Sequence, residues 1–511
     1  MKPTGQRVSQ TKSIQAPTGG LNARDAIADM AESEAITMDN WFPTPTSVNI
    51  RRGKVSHATG MTGPVETLMY YNTGATQKLF GVVGGDVFDV TSSGAVGAAA
   101  VSGLANSRFQ YINMGTAGGF YLMAVNGTDK LRYYNGTAWD YDGASSLTIT
   151  GVNTQNCIHI NNFKNRVWLI QKDSFLAWYL PVSSIAGAAN SLDLSGFFKL
   201  GGSLMAMANW TIDNAAGVDD YAAFITSEGE VAIYKGTDPS SSSTWAMVGT
   251  FRMGRPIGRR CFCKAGADVL VLTTDGAFPL SKAMLTDRSQ LNLAATDKIQ
   301  TLFNSDAVSF NTNFGWQPII HPAGQKLIIN VPETENSVSK QYVMNTANGS
   351  WCRFLEWNAN CFETLGNDLY YGGDGVVYKA DTGTDDDGSE IQAVVQQAFS
   401  YFGNKTAIKK FQMARPIFLS EGDINPAVLM NVDFNQNRTT VAPSFTGDSG
   451  SAWDDFDWDV AAWESGDTVS KRWQSVSGVG YSGGIRVVAS VKDIGCKWQS
   501  TDIVYEQGGV L

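Results

Sequence analysis

One design recurs seven times along this chain: two short apolar runs on either side of a turn rich in Gly, Asn, Asp or Ser. "KLFGVVGGDVFDV" from Lys78 is the first, and the others start at Phe120, Arg166, Tyr221, Asp268, Lys326 and Asp368, so successive starts lie 42, 46, 55, 47, 58 and 42 residues apart. Runs of this length with such punctuation read as β-hairpins. Several follow a further apolar strand across a short turn, as "RFQYINMGTAGG", "CIHINNFKN", "RRCFCKAGA" and "CFETLGN" do before the second, third, fifth and seventh. Radial repetition of small sheets produces a period in the forties with three or four strands per unit. Each sheet covers its faces with its neighbours, and closure leaves few open edges. The repeat therefore predicts an all-β fold with a β-propeller of about seven blades over residues 63–385. A pair of β-sandwiches built from regular hairpins is the competing arrangement, and no WD or kelch signature decides between them.

The propeller does not use the whole chain. At 511 residues the sequence exceeds the roughly 250–300 residues at which a single core stops growing. After "DTGTDDDGSE" (381–390) the strands lengthen, as in "KKFQMARPIFLS" and "CKWQSTDIVYEQ", which marks 386–511 as a C-terminal β-domain. Within it Trp453, Trp458 and Trp463 recur every five residues, each followed by an acid. Five is neither a helical nor a strand period. A meander whose rings cover a sheet face is the plain reading, with a subunit interface or a sugar-stacking surface as the alternatives. Residues 1–62 form an N-terminal arm. Its "DNWFPTPTSVNIRRG" (39–53) puts a Trp-Phe-Pro knuckle, a short extended piece and an Arg pair ahead of any regular core pattern.

Charge and motif content bound the function. Asp plus Glu number 48 against 38 Lys plus Arg, and the net charge of −10 argues against affinity driven by phosphate contacts. It leaves room for DNA to slide past an acidic wall. The opening residues lack the apolar core of a secretory signal and no window approaches a membrane span, so folding in a cytosol without membrane insertion is expected. Six cysteines at unrelated spacings predict free, mostly buried thiols. "GDSG" (447–450) copies the loop around a serine-protease nucleophile, but Ser449 sits in a Gly/Ser/Thr/Pro-rich stretch and His57 has no strand-loop context, so no triad is expected. Cys261 and Cys263 lack a second pair, His159 and His321 have no partner at ligand spacing, and Asp433, Asn435 and Asn437 lack the Gly and distal Glu of a calcium loop. No enzyme activity, cofactor or metal is expected. Arg252, Arg255, Arg259, Arg260 and Lys264 form a basic group, but Arg259 and Arg260 would point to opposite faces of a strand, which favours structural contacts over phosphate binding.

The segment "APTGGLNARDAIADMAESEAITMDNWFPTPTSVNIRRG" (16–53) resembles the N-terminal segment of the tail nozzle, or tail hub, proteins of short-tailed bacteriophages. "PIGRR" (256–260) leading into "VLVLTTDGAFPLS", and the late Trp-acid pentads, are similar to features of the same group, so the resemblance spans most of the chain. It implies a structural virion protein, made in the host cytoplasm. That protein forms a ring, sixfold by analogy, below the adaptor and portal, carries fibres or tailspikes, and lets the genome leave without sequence-specific contacts. On that reading the arm has a short helix around Ala31 to Asn40. Ile36, Met38, Trp41 and Phe42 pack on the C-terminal domain or on a neighbouring subunit, Pro43 and Pro45 force an extended exit, and Arg51 and Arg52 make polar contacts at the junction. An arm that merely caps its own domain is the alternative. Trp453, Trp458 and Trp463 are further interface residues, and Asp385, Asp386 and Asp387 would lie on a channel or rim loop. From a different class, a glycan-binding or glycan-processing propeller would use aromatic platforms and paired carboxylates. The Ser-x-Asp-x-Gly-x-x-Trp box of sialidase blades is absent.

Overall fold

Every predicted hairpin forms, and each supplies the second and third strands of an antiparallel sheet. The computed structural model describes residues 9–145, 147–214, 217–283, 293–422, 424, 426–436 and 468–508. Among these, seven such sheets succeed one another in chain order. Their inner strands, from Val65–Asn72 through Gln110–Thr116, Cys157–Phe163 and Leu204–Asn214 to Gln317–His321 and Cys361–Leu365, pack around one axis. The last lies against the first. The protein is an all-β chain with a β-propeller, an N-terminal arm and a C-terminal β-domain.

Strand periodicity explains the packing. In the third sheet Val167 and Leu169 face the second sheet, while Trp168 and Ile170 face the fourth. In the first, Phe80 and Val82 face the second sheet, whereas Leu79 and Val83 face the seventh. Both faces of a blade are thus apolar, which is why these hairpins lack the polar alternation of a sheet with one wet face. The longest spacing, from Asp268 to Lys326, has a physical cause. The fifth sheet has three strands and is followed by the helix Gln300–Phe310, whose Phe303 packs on Trp316 and Tyr342.

The seventh sheet takes its outer strand from the other end of the chain. Lys54–Thr59 pairs antiparallel with Val377–Ala380, so residues assigned to the arm from sequence belong to the propeller. The sixth sheet extends further. Its outer strand Trp351–Phe354 touches Glu34–Asp39 of the arm, which pairs antiparallel with Ile391–Gln397 of the C-terminal domain, and the whole makes one nine-stranded sheet. A second sheet faces it. Lys409–Ser420 lies beside Cys496–Gln507 at its centre, and the arm adds Ser9–Gln15 and the hairpin Trp41–Pro43/Val48–Ile50. Phe411, Phe418, Ile485, Val487, Trp498 and Tyr505 fill the space between the two.

Two expectations for the arm fail here. The predicted helix at 31–40 is the strand Glu34–Asp39, with Ala35 and Met38 buried and Ile36 only half-buried. A waiting sheet edge on both sides outweighs the helix propensity of a short Ala/Glu-rich run. Pro43 and Pro45 do not force an extended exit either, since Thr44 and Ser47 close a turn between them that folds the segment back as a hairpin.

Candidate functional site

Asn40 is the knot of the arm. It occupies the left-handed backbone region, φ 58°, which Asn tolerates better than most side chains. That corner separates two strands belonging to different sheets. Its Oδ1 accepts from Leu355 N at 2.8 Å and from Arg51 Nε at 2.9 Å, and its Nδ2 donates to Gln392 O at 2.8 Å. One side chain thus ties the sixth sheet, the arm and the C-terminal domain.

Arg51 completes the junction. Its guanidinium is wholly buried and forks onto Asp386, Nη1 donating to Oδ1 at 2.8 Å and Nη2 to Oδ2. The remaining Nη donors reach Arg52 O and Leu355 O, both at 3.0 Å. All five N–H groups are satisfied. The charge also lies over the rings of Trp357 at 5.2 Å and Phe354 at 5.9 Å. Beside it Trp41 packs on Phe418 and Trp498 of the C-terminal domain with centroids 6.4 and 6.1 Å apart, and Phe42 meets Phe354 edge-on. Arg353 closes the outer side with a two-point contact to Asp39. Of the sequence-predicted interface residues, Trp41, Phe42 and Arg51 therefore meet at one intrachain seam. Arg52 is exposed. Trp453, Trp458 and Trp463 lie outside the described residues.

Of the acidic triplet, Asp386 is buried in the same seam, while Asp385 is half-buried and Asp387 exposed. Asp386 is buried against Arg51 because an arginine 335 positions away in sequence needs a fixed carboxylate. Asp387 accepts from Ser56 N and Oγ, and Lys54 N donates to Asp385 O. Burial pulls the Lys54 ammonium pKa down, while the hydrogen bonds from Ser56 pull the Asp387 carboxyl down.

The propeller axis is the second place where polar groups converge. A cavity of about 230 Å³ lies there, walled by Thr67, Tyr111, His159, Arg260, Gln317 and Glu363, among others, from six of the seven sheets. Arg260 crosses it. Rooted before the fifth sheet, it donates from Nη2 to Thr67 Oγ1 at 2.7 Å and to Glu66 O at 3.0 Å on the first sheet, and it stacks on Phe314 at 5.0 Å. Arg259 lines the same cavity, so the two neighbours do not point to opposite faces. They precede the strand Phe262–Ala265 in a turn, where strand alternation does not apply. Tyr111 donates its hydroxyl to Glu363 Oε2 at 2.6 Å. Burial pushes the Glu363 carboxyl up and draws both arginines down, with the Arg108 charge adding to the effect at Arg259. Burial, and then the Arg259 charge, holds His159 at a pKa of about 4.

The remaining chemical candidates are committed elsewhere. His57 is hydrogen-bonded to Val90 O at 3.1 Å and packs against Tyr370, while Ser449 lies outside the described residues. Burial pushes the thiols of Cys261 and Cys263 up to about 12, far from nucleophilic character. Asp433 accepts from Tyr481 N and Ser482 N, and Asn437 lies outside the described residues. His321 sits beside Asp381, to which Lys326 donates at 2.7 Å. Among the described residues no group of three or more His, Cys, Asp or Glu gathers as a metal site.

No family model and no curated protein matches the chain. Among solved structures it is similar to BBS1N, determined in complex with ARL6DN, at 9% identity and a TM-score of 0.39 over 65% of this chain and 97% of that one. It is also similar to PorZ of the Porphyromonas gingivalis type-IX secretion system, at 13% identity and a TM-score of 0.38. Raptor of Chaetomium thermophilum follows at 10% identity and a TM-score of 0.38. The match spans 42% of the PorZ chain and 29% of the Raptor chain.

Proposed function

We propose that this chain is a structural protein of a short phage tail, a ring-forming nozzle subunit that guides the genome out and performs no catalysis. The observation that carries the reading is the nine-stranded sheet that links the sixth propeller sheet, through the one-residue bridge between Arg353 and Asp39 of the arm, to the C-terminal domain. A shared sheet, pinned by the buried Arg51–Asp386 pair, leaves no flexible linker between the bodies, as a wall under internal pressure requires. Residues 16–53, the first of the segments that resemble nozzle proteins, supply Asp39, Asn40, Trp41, Phe42 and Arg51 to this seam.

The cavity on the propeller axis, bridged by Arg260, is smaller than the roughly 300 Å³ at which drug-sized pockets begin. A DNA conduit must therefore run between copies of the chain and not through one propeller. The net charge of −10 suits a wall that releases DNA. Exposed Met413, Val469, Trp473 and Val479 lie on or beside the edge strands Thr468–Ser470 and Gln474–Gly480 of the C-terminal domain, and they form a surface for a neighbouring copy. An adaptor ring above and a fibre or tailspike at the side are the remaining partners of this reading, with the virion tail as its location.

Electron microscopy of the purified protein, alone and mixed with portal-adaptor complexes, tests it. Closed rings of about six copies docked under the adaptor are expected. A particle that stays monomeric and never joins a tail refutes the reading, as does saturable glycan binding on an array accompanied by sugar release.

A further inference from the structure

We propose that the axial cavity of the propeller is a binding site for a small oxyanion, a phosphate or carboxylate group, held by Arg259 above a fixed floor made by Arg260. Both guanidiniums line the cavity. Among the described residues neither forms an ion pair, whereas Arg108 next to them has two, with Glu66 and Glu335. Arg260 spends its Nη2 on Thr67 and Glu66, and its Nη1 has no hydrogen-bond partner. Arg259, an exposed residue at the cavity's lining, makes one bond, Nη1 to Asn126 O at 3.3 Å.

The half-buried Arg260 keeps an Nη1 with no hydrogen-bond partner while Arg259 stands exposed at the mouth, and a bound anion would satisfy both through charge-assisted hydrogen bonds. The one carboxylate on the cavity wall is Glu363, and it is already engaged by the Tyr111 hydroxyl at 2.6 Å and the Thr364 N–H at 2.9 Å. Beyond the wall, Asp173 acts on Arg259 and Glu66 on Arg260, and Glu66 is already paired with Arg108. His159 is held neutral by burial, and burial likewise keeps Tyr111 and Cys361 protonated. The site is thus a local cationic well inside a protein of net charge −10. Its volume of about 230 Å³ admits a small molecule and no polymer.

Isothermal titration calorimetry of the full chain with inorganic phosphate and with acetate, at matched ionic strength, tests this and separates tetrahedral from planar oxyanions. One saturable site is expected. Arg259→Gln should weaken affinity at least tenfold, and Glu363→Gln, which removes the opposing charge but keeps an acceptor for Tyr111, should tighten it several-fold. Arg252→Gln, at an exposed position outside the cavity, should change nothing. Melting curves of each variant check that it is folded, and crystals soaked in selenate should show anomalous density beside Arg259. The proposal is overturned by linear, non-saturable heats with both anions. Equal binding of neutral glucose, or an Arg259→Gln protein that binds like the parent, has the same consequence.

Discussion

Replacing Arg51 by Ala should destabilise the seam between propeller and C-terminal domain more than any other single charge removal described above. The side chain is wholly buried and donates five hydrogen bonds, two of them to Asp386, whose own side chain is 4% exposed. Truncation strands that carboxylate in a dry site and leaves the carbonyl of Leu355 short of a partner. Removing one member of such a pair costs about 3–5 kcal/mol. For a cooperative unit of about 150–250 residues that is a midpoint fall of roughly 6–20 °C. Differential scanning calorimetry of the full chain measures it, and hydrogen exchange at Glu34–Asp39 and Ile391–Gln397 locates it. Arg51→Lys should lie nearer to Ala than to the parent, because an ammonium cannot reproduce the two-point fork. Asp386→Leu combined with Arg51→Met should recover most of the loss, since the desolvated charges are then both gone. A cost below about 1 kcal/mol for Arg51→Ala, or a double variant no better than the single one, refutes the reasoning.

Trp41→Ala should cost about 3–5 kcal/mol by opening a cavity against Phe418 and Trp498, and limited proteolysis should then release the arm. His159, at a pKa of about 4 when folded against roughly 6.5 unfolded, contributes stability that is complete above about pH 6.5. As the pH falls towards 4 the unfolded chain takes up the proton first, so about 3 kcal/mol is lost across that window, and denaturant titrations of His159→Gln should lack this slope. Gly53→Ala places a Cβ 1.5 Å from the Asp385 carbonyl oxygen, a backbone atom that cannot swing away. A loss of about 3 kcal/mol and cleavage within 381–390 under native proteolysis are expected. Val479→Asp, at an exposed edge position, should abolish ring formation in electron micrographs without moving the melting midpoint.

What could be read from the sequence was what local pattern determines. Each of the seven hairpins is a run of apolar residues around a turn, and Gly-Gly at 84–85 or Asn-Gly at 126–127 fixes the turn wherever the rest of the chain goes. Lys54–Thr59 was hidden because "KVSHAT" is neither apolar nor alternating enough to stand out, and it becomes a strand only when Val377–Ala380 offers an edge. The expected helix around Ala31 to Asn40 gives way to the strand Glu34–Asp39 for the same reason, its conformation being imposed from both flanks. The role of Asp386 was out of reach. An acid in a run of three looks solvated until its arginine, far away in the chain, is known. Arg259 and Arg260 were separated by assuming a strand where the backbone turns, which concealed the axial cluster.

The borrowed outer strand also sets an order of events during synthesis. Lys54–Thr59 leaves the ribosome before any other part of the propeller, yet its partner Val377–Ala380 follows roughly 300 residues later, about 15–60 s at ordinary translation speeds. For that interval the strand can meet only the short Gly94–Ala95 on one side, its other edge stays unpaired, and the half-made circle has an open side. Closure across so long a loop is the slow, final step, and a cell making this protein in quantity must keep the early strand from pairing with the wrong chain until its own tail arrives.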